Sequence, residues 1–176
     1  MLDLRPMSVA DADELFVIYR DTAMWAYDPA RRHADPATTR SYCERAAARW
    51  DVDGLSYWTA RLASSGEVIG SGGAQRHTTP GGSGGSCWNL NYRIATAHQG
   101  HGHATALLRA ALAAAAERDD DLARIAWIDA TNPASARVAA RAGLRDHGAR
   151  LGAADRVVRH AWTDRPLDDV RFPPAG

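Results

Sequence analysis

The chain has 176 residues, and 21 basic and 21 acidic side chains give it a formal net charge of zero. Every basic residue is an arginine, because the sequence contains no lysine. This length predicts one domain with its own core, and the balanced charge argues against nucleic acid or an anionic membrane as a partner. We expect residues 1–164 to form the domain and residues 165–176, with three prolines, to form a C-terminal tail.

Cysteine usage and the first residues favour a cytoplasmic protein. Cys43 and Cys87 lie far apart without the spacing of a disulfide scaffold, so both are expected to be reduced thiols. Met1–Pro6 carries an acid at its third residue and lacks the apolar stretch of a signal peptide. No apolar run reaches the roughly 20 residues that a membrane span requires.

The first third of the chain predicts one strand and two helices. Leu2–Arg5 alternates as a short strand, and Ser8–Asp11 supplies the hydroxyl and carboxylate of a capping box. The helix that follows is expected to bury one face, formed by Ala12, Leu15, Phe16 and Tyr19. Asp35–Pro36 combines an N-cap with a first-turn proline and therefore begins the second helix.

From Ser56 the apolar period changes to two, which predicts β-structure. Strands over Ser56–Leu62 and Val68–Ala74 form an antiparallel hairpin, and Trp88–Ile94 is the next strand. The stretch Pro80–Ser86 is rich in glycine, but it lacks the lysine of a phosphate-binding loop and leads into a strand. It is therefore predicted to be a hairpin tip.

The second half alternates helices with strands. His98–His103 is a glycine-containing turn that opens an alanine-rich helix over residues 104–117. Ile125–Ile128 is nearly continuous apolar sequence, which is typical of a central strand covered on both faces. Asn132–Pro133 begins the last helix, which Gly143 ends, and two strands near residues 144–150 and 157–163 complete the sheet.

The turn between the fourth strand and its helix is the segment with the clearest chemistry. A glycine turn of this kind leaves backbone N–H groups exposed at the positive end of the helix dipole, where phosphate binds. Gly100 and Gly102 permit close approach of a ligand to the backbone, and Ala104 adds little bulk. A dinucleotide fingerprint would need a third glycine and an early βαβ unit, neither of which is present.

This turn, Gln99-Gly-His-Gly102-His-Ala104, resembles the Gln/Arg-x-x-Gly-x-Gly/Ala hallmark of the GNAT superfamily of acyl-CoA-dependent N-acyltransferases. The segments Asn91–Thr105 and Asn132–Leu144 resemble most closely the branch of ribosomal-protein alanine N-acetyltransferases. The likeness extends from about Leu2 to Trp162. It implies an α/β (α+β) fold with a mixed, strongly twisted sheet of six or seven strands and four main helices. Strands four and five are expected to splay apart at a bulge.

The resemblance also implies where acetyl-CoA binds. The backbone amides that should hold its pyrophosphate belong to Gln99, Gly100, His101, Gly102, His103 and Ala104. The pantetheine arm should pair with the strand edge at Ile94, Ala95 and Thr96, where an amide would polarise the thioester carbonyl. Asn132 should bind that arm, and Arg137 could reach a CoA phosphate, as could Arg141, unless both are solvated helix residues.

The catalytic residues that the resemblance implies are Asn89, Tyr92, Asn132 and Ser135. Ser135, near the positive end of its helix, is placed to protonate the departing thiolate. Asn132 and Ser135 also suit a helix cap and a first helical turn. Many relatives carry a glutamate base three residues before the equivalent of Tyr92, whereas this chain has Asn89, which cannot act as a base.

The group that deprotonates the acceptor therefore stays open. A water relay, a base at Asp146, His147 or Asp155, or an acceptor that arrives neutral each satisfies the chemistry. A primary amine is the expected acceptor, and it should take the acetyl group by direct transfer in a ternary complex. Trp25, Tyr27 and Asp28 are the candidates to contact it. For Trp25 and Tyr27 the alternative is packing as a lid on the core.

Two other functions remain as alternatives. Loss of the glutamate is compatible with a catalytically weak or inactive CoA-binding regulatory module of the same fold. His98, His101 and His103 have the spacing of a zinc site, but their side chains should point outward from a loop wrapped around phosphate, so no metal is predicted. Members of the family commonly dimerise, so a homodimer is a further implication.

Overall fold

The computed structural model of the chain describes residues 1–78, 86–119, 121–151 and 157–166. Seven strands form one sheet: β1 (Leu2–Pro6), β2 (Tyr57–Leu62), β3 (Val68–Thr78), β4 (Ser86–Ile94), β5 (Ala123–Asp129), β6 (Arg145–Leu151) and β7 (Val158–Thr163). Four α-helices accompany them: α1 (Ala12–Tyr19), α2 (Pro36–Asp53), α3 (His103–Arg118) and α4 (Pro133–Ala142). Short 3-10 turns lie at Val9–Asp11, Ala23–Trp25, Pro29–Arg31 and Thr96–His98.

The sheet has the strand order β1-β2-β3-β4-β5-β7-β6. Every neighbouring pair is antiparallel except β4 and β5, which are parallel. The predicted α/β class, with six or seven strands, four main helices and a mixed sheet, is therefore confirmed. Among the described residues, no helix is long and apolar enough to cross a membrane.

The parallel pair at the centre of the sheet is short. Only Cys87–Asn89 pairs with Ala123–Ile125, although β4 continues to Ile94 and β5 to Asp129. The two strands therefore part beyond Asn89, as expected. The expected bulge is not found there, because β4 keeps an unbroken register with β3 along its whole length. The separation thus comes from divergence of the two strands and not from an inserted residue.

Local sequence determines where the helices begin and end. The Ser8 backbone N–H donates to the Asp11 carboxylate over 2.9 Å, and the Asp35 carboxylate accepts from the Ala37 N–H over 2.7 Å, as the capping patterns predict. Gly143 follows α4 with φ +101°, a left-handed conformation that favours glycine. α3 begins at His103, one residue before the predicted start.

The helices cover both faces of the sheet. α3 and α4 pack on one face over a core that includes Trp88, Leu90 and Leu108, and α1 and α2 enclose a second cluster around Leu15 and Tyr19. The predicted buried face of α1 needs one correction: Ile18 is buried, whereas Phe16 is only half-buried.

Two predicted segments fall largely outside the described residues. The Gly-rich hairpin tip, predicted over Pro80–Ser86, lies outside the described residues except for Ser86, which pairs with Thr78. The C-terminal tail is described only as far as residue 166. Both assignments stay predictions.

Candidate active site

A cavity of about 430 Å³ opens where β4 and β5 part. It is bounded by the free part of β4, the end of β5, the glycine turn with the first residues of α3, the first residues of α4, and the loop between α1 and α2. The sequence-predicted site residues that line it are Tyr27, Asp28, Tyr92, Ile94, Gln99, Gly100, Gly102, His103, Ala104, Asn132, Ser135 and Arg137. Those that do not are Trp25, Asn89, Ala95, Thr96 and His101.

The glycine turn leaves open space beside its backbone. Gly100 and Gly102 both have φ +80°, and a Cβ added to either would meet no atom within 4 Å. Gly102 is the N-cap of α3, so unpaired N–H groups of the first helical turn lie at the edge of the cavity. An anion at this position would gain both hydrogen bonds and the helix dipole.

The Gln99 side chain connects the turn to the sheet. Its Nε2 donates to the Ile94 carbonyl over 3.0 Å, which satisfies the last carbonyl of β4. The Gln/Arg-x-x-Gly-x-Gly/Ala pattern thus begins here with a residue that fixes the position of the turn relative to the strand.

The end of β4 presents free backbone groups toward β5. Ala95 N–H donates to the Ile69 carbonyl of β3 over 2.7 Å. Hydrogen bonding alternates along an antiparallel pair, so the backbone groups of Ile94 and Tyr92 point the other way, toward the gap. The Ile94 N–H is therefore the donor nearest the end of the strand on the cavity side.

Ala95 and Thr96, predicted to extend this edge, lie elsewhere. Ala95 uses its N–H within the sheet, and Thr96 begins a 3-10 turn. Thr96 Oγ1 donates to Asp21 Oδ2 over 2.7 Å, and this hydrogen bond lowers the pKa of Asp21. The strand edge available to a ligand ends at Ile94.

Tyr92 and Ser135 form a hydrogen-bonded pair across the cavity. Ser135 Oγ donates to the Tyr92 hydroxyl over 2.9 Å, and that hydroxyl donates to the Ser135 carbonyl over 3.1 Å. Burial raises the pKa of Tyr92 to about 12, while the hydrogen bond from Ser135 lowers it. The phenol is therefore protonated at neutral pH and holds a proton beside the gap.

Asn132 is held as the N-cap of α4. Its Oδ1 accepts from the Ser135 N–H over 3.0 Å, and its carbonyl accepts from the Ala136 N–H. The residue lines the cavity at the same time. Capping uses the side-chain oxygen, so a cofactor contact from Asn132 would have to come from its NH2 group.

Asn89 lies outside the cavity on the opposite face of β4. Its side chain hydrogen-bonds the Tyr57 hydroxyl, as does that of Asn91, and burial raises the pKa of Tyr57. Of the other groups considered as bases, His147 does not line the cavity, and Asp146 accepts from His160 over 2.8 Å. Asp155 lies outside the described residues.

The loop between α1 and α2 forms another wall of the cavity. Tyr27 and Asp28 line the cavity, and Asp28 is paired with Arg31 over 3.0 Å. Trp25 is only 2% exposed and donates from Nε1 to the Tyr19 carbonyl. Trp25 thus packs in the core, as its alternative interpretation stated.

Sequence reasoning missed Arg93 and Asn91, which also line the cavity. Both lie on the polar side of the alternating pattern of β4, the side expected to face solvent in an ordinary half-buried strand. The signal that could have found them is the aromatic sequence of the α1–α2 loop, which covers that side.

The histidines of the turn do not converge. His101 and His103 stack with ring centroids 6.0 Å apart, and His98 Nε2 lies 3.1 Å from Glu67 Oε1. No group of three or more potential metal ligands occurs within the part of the chain that the structure describes. Arg137, in the middle of α4, and Arg141, in its last turn, both line the cavity.

Comparison with known proteins agrees with this geometry. The sequence model of the family described as "Acetyltransferase (GNAT) domain" matches residues 1–145. A protein described as a GnaT-family acetyltransferase from Bordetella pertussis is similar in structure, with 24% identity, coverage of 93% of this chain and 95% of that chain, and a TM-score of 0.74.

Two ligand-bound structures have the same fold. RimL, a ribosomal alpha-N-protein acetyltransferase in complex with coenzyme A, has 17% identity, coverage of 92% of each chain and a TM-score of 0.71. An aminoglycoside acetyltransferase in complex with coenzyme A has 20% identity, coverage of 93% of this chain and 94% of that chain, and a TM-score of 0.69. No functionally curated protein matches the sequence.

The cap at Asn132 leads to a stability prediction. Asn132→Ala removes the oxygen that accepts from the Ser135 N–H and should lower the free energy of unfolding by about 1 kcal/mol. Asn132→Asp keeps an acceptor at the helix N-terminus and should leave that free energy within about 0.5 kcal/mol of the original. Urea unfolding followed by circular dichroism measures both values. Equal losses in the two variants would contradict the capping role.

Proposed function

Because the chain belongs to the GNAT family of acetyltransferases, we propose that it transfers an acetyl group from acetyl-CoA to a primary amine, by direct attack in a ternary complex. The observation that carries the proposal is the cavity at the parting of β4 and β5. It brings an anion-binding helix start, a free strand edge and a protonated tyrosine together. The proposal includes no intermediate in which the acetyl group is bound covalently to Cys87. That thiol is buried, and burial raises its pKa to about 11.

The residues around the gap fit acetyl-CoA. The N–H groups around Gly100 and Gly102 suit a pyrophosphate, because nothing blocks access to the backbone there. Arg137 and Arg141 add positive charge to the same cavity. The free backbone groups of Tyr92 and the Ile94 N–H suit the amide groups of the pantetheine arm, which would pair there as a strand does. No lysine is needed for this mode of phosphate binding.

Acetyl-CoA supplies a thioester whose carbonyl carbon accepts the amine. The Ile94 N–H donates to the carbonyl oxygen as it gains negative charge, and one such donor is worth about 2.7–4 kcal/mol. The nitrogen lone pair forms the C–N bond, and the C–S bond breaks with its electrons on sulfur. The sulfur then takes a proton, and the amine loses one.

We assign the proton that sulfur receives to Tyr92. A phenol is a stronger acid than the hydroxyl of Ser135, and Ser135 Oγ donates to the Tyr92 oxygen and so stabilises the phenolate that remains. Ser135 is thereby a positioning residue in this proposal. The first helical turn of α4, near both groups, adds a favourable dipole.

The amine gives its proton to solvent. Asn89 cannot accept it, and of the other groups considered, Asp146 and His147 lie outside the cavity. An α-amino group has a pKa near about 8, so a fraction is already neutral at physiological pH, whereas a lysine side chain near about 10.4 is almost wholly charged. The absence of glutamate at position 89 therefore favours an α-amino group over a lysine side chain as the acceptor.

Release of free CoA in the presence of amines tests the proposal. A panel of free amino acids, N-terminal peptides and polyamines should give at least one acceptor with CoA release well above buffer hydrolysis. The alternative, an inactive CoA-binding module, requires tight acetyl-CoA binding in calorimetry with no release for any acceptor, and that result would overturn the proposed activity.

The phosphate assignment predicts the effect of a charge in the turn. Gly102→Glu places bulk and a negative charge at the start of α3 and should abolish acetyl-CoA binding measured by calorimetry. Gly66→Glu is the matched control, since Gly66 has φ +76°, has no atom within 4 Å of an added Cβ and does not line the cavity. Both substitutions place a side chain at a positive φ of nearly the same size. Equal binding by the two variants would refute the assignment.

If Tyr92 protonates the sulfur, its removal should lower kcat more than removal of the Ser135 hydroxyl. Tyr92→Phe should lower kcat by about 100-fold or more, because it removes the acid, with little change in the KM for acetyl-CoA. Ser135→Ala should lower kcat by about tenfold, because it removes one hydrogen bond to the phenol. Steady-state kinetics measure both. A greater loss in Ser135→Ala than in Tyr92→Phe would assign the proton to the serine instead.

A further inference from the structure

Arg93 lines the cavity with its guanidinium enclosed by aromatic rings. Its Cζ lies 4.4 Å from the centroid of the Trp25 ring and 5.8 Å from that of Tyr19. His33 stacks on Tyr19 with centroids 4.6 Å apart and extends the aromatic wall. Cation–π contacts replace part of the lost hydration, and Tyr27 is within hydrogen-bonding reach of the side chain, but neither neutralises the charge.

No carboxylate of the described residues neutralises this guanidinium. Within the four described stretches of the chain, Arg93 takes part in no ion pair, and its buried Nε has no hydrogen-bond partner. Burial alone would lower the pKa of Arg93, but Tyr19, Tyr27 and Tyr42 outweigh it and raise that pKa above its usual value. The side chain is thus a permanent cation in a partly buried place.

Elsewhere the same fold supplies acids to its enclosed arginines. Arg61 lies 2.9 Å from Asp11 and 2.7 Å from Glu14, and Arg124 lies 2.9 Å from Asp164. A buried charge without a partner is costly, and a fold that carries one gains from it only when a ligand completes the pair. Arg93 therefore differs from Arg61 and Arg124 in having no carboxylate partner among the described residues.

The phosphates of acetyl-CoA do not supply this anion under the proposed binding mode. Successive side chains of β4 point to opposite faces, with Tyr92 contacting Ser135 of α4 and Arg93 contacting Tyr19 of α1. The phosphate-binding turn opens α3, on the face of Tyr92. The cation consequently belongs to the part of the cavity that remains for the acceptor.

The positions of Arg93, Ile94 and Asp28 suit a small acceptor. Arg93 and Ile94 are consecutive residues at the end of β4 and both line the cavity, so an anion on Arg93 and an acetyl group beside the Ile94 N–H would share one part of the cavity. Asp28 lines the same wall and can face a positive amine, since its pairing with Arg31 leaves further acceptor capacity. A small molecule that carries both an anion and an amine fits this arrangement.

We infer that the acceptor is a free amino acid or a close analogue, whose carboxylate is bound by the unpaired guanidinium of Arg93 while its amine is acetylated. The inference rests on the proposed acetyl transfer. A guanidinium and a carboxylate match in a bidentate geometry, which would also orient the amine. A polycationic aminoglycoside would meet repulsion at Arg93, and a peptide N-terminus would lack the adjacent carboxylate.

Matched acceptors test the inference on the wild-type protein. Free amino acids and the corresponding amino acid amides differ in the carboxylate and, through it, in the pKa of the amine, so kcat/KM with acetyl-CoA is measured for each pair across pH and compared for the neutral amine. For the amino acids that are acetylated, the acid should exceed its amide by about 10- to 100-fold, the range for a charge-assisted hydrogen-bonded pair. Amides, aminoglycosides or peptides that react as well as the acids would overturn it.

A variant assigns the preference to one side chain. Arg93→Met keeps a long apolar side chain against the aromatic rings, and it should abolish the preference for acid over amide while acetyl-CoA affinity stays as in wild type. Arg20→Met is the control, because it removes a cation that lies over the Phe16 ring, outside the cavity. An unchanged acid preference in Arg93→Met would contradict the inference.

Product binding separates this inference from the proposed activity. Calorimetry of N-acetyl amino acids and their amides with the CoA-loaded protein requires no turnover. Tighter binding of the acid in wild type but not in Arg93→Met supports the anion site even if no acceptor is acetylated. Acid and amide that bind equally, or not at all, would overturn the anion site even if acetyl transfer to another amine is observed.

Discussion

The site depends on one constraint, the short pairing of β4 with β5. If β4 and β5 stayed paired to the ends of both strands, the backbone groups of Tyr92 and Ile94 would be hydrogen-bonded within the sheet and no gap would open. Pairing stops instead at Asn89 and Ile125, and the unbroken register with β3 holds β4 in place. The strand is thus fixed on one side and free on the other, which is the condition for binding an extended ligand to its edge.

The divided sheet also separates two tasks between its faces. On the α3 and α4 face lie the glycine turn and the Tyr92–Ser135 pair, which serve the donor of the acetyl group under the proposed function. Arg93 and the aromatic wall lie on the α1 and α2 face, which is left for the acceptor. The zero net charge of the chain does not show this arrangement. Arg93 has no ion pair among the described residues, whereas Arg61 and Arg124 are paired with acids.

Much of this architecture could be predicted from the sequence, because local chemistry decides it. The Asn132 cap and the Gly102 turn follow from residues a few positions apart. Side-chain environments set by distant segments could not be predicted. The alternation of β4 does not show that Asn89 faces Tyr57 or that Arg93 lies under Trp25, since residues from other elements create both contacts. Thr96 left the expected strand edge because Asp21 holds it in a turn.

A crystal structure with acetyl-CoA tests the central claim most directly. The account predicts the pyrophosphate on the backbone N–H groups around Gly100 and Gly102, and the acetyl carbonyl oxygen within hydrogen-bond distance of the Ile94 N–H. It also predicts the sulfur beside the Tyr92 hydroxyl. Acetyl-CoA bound away from the gap between β4 and β5, or an acetyl group remote from Ile94, would contradict it.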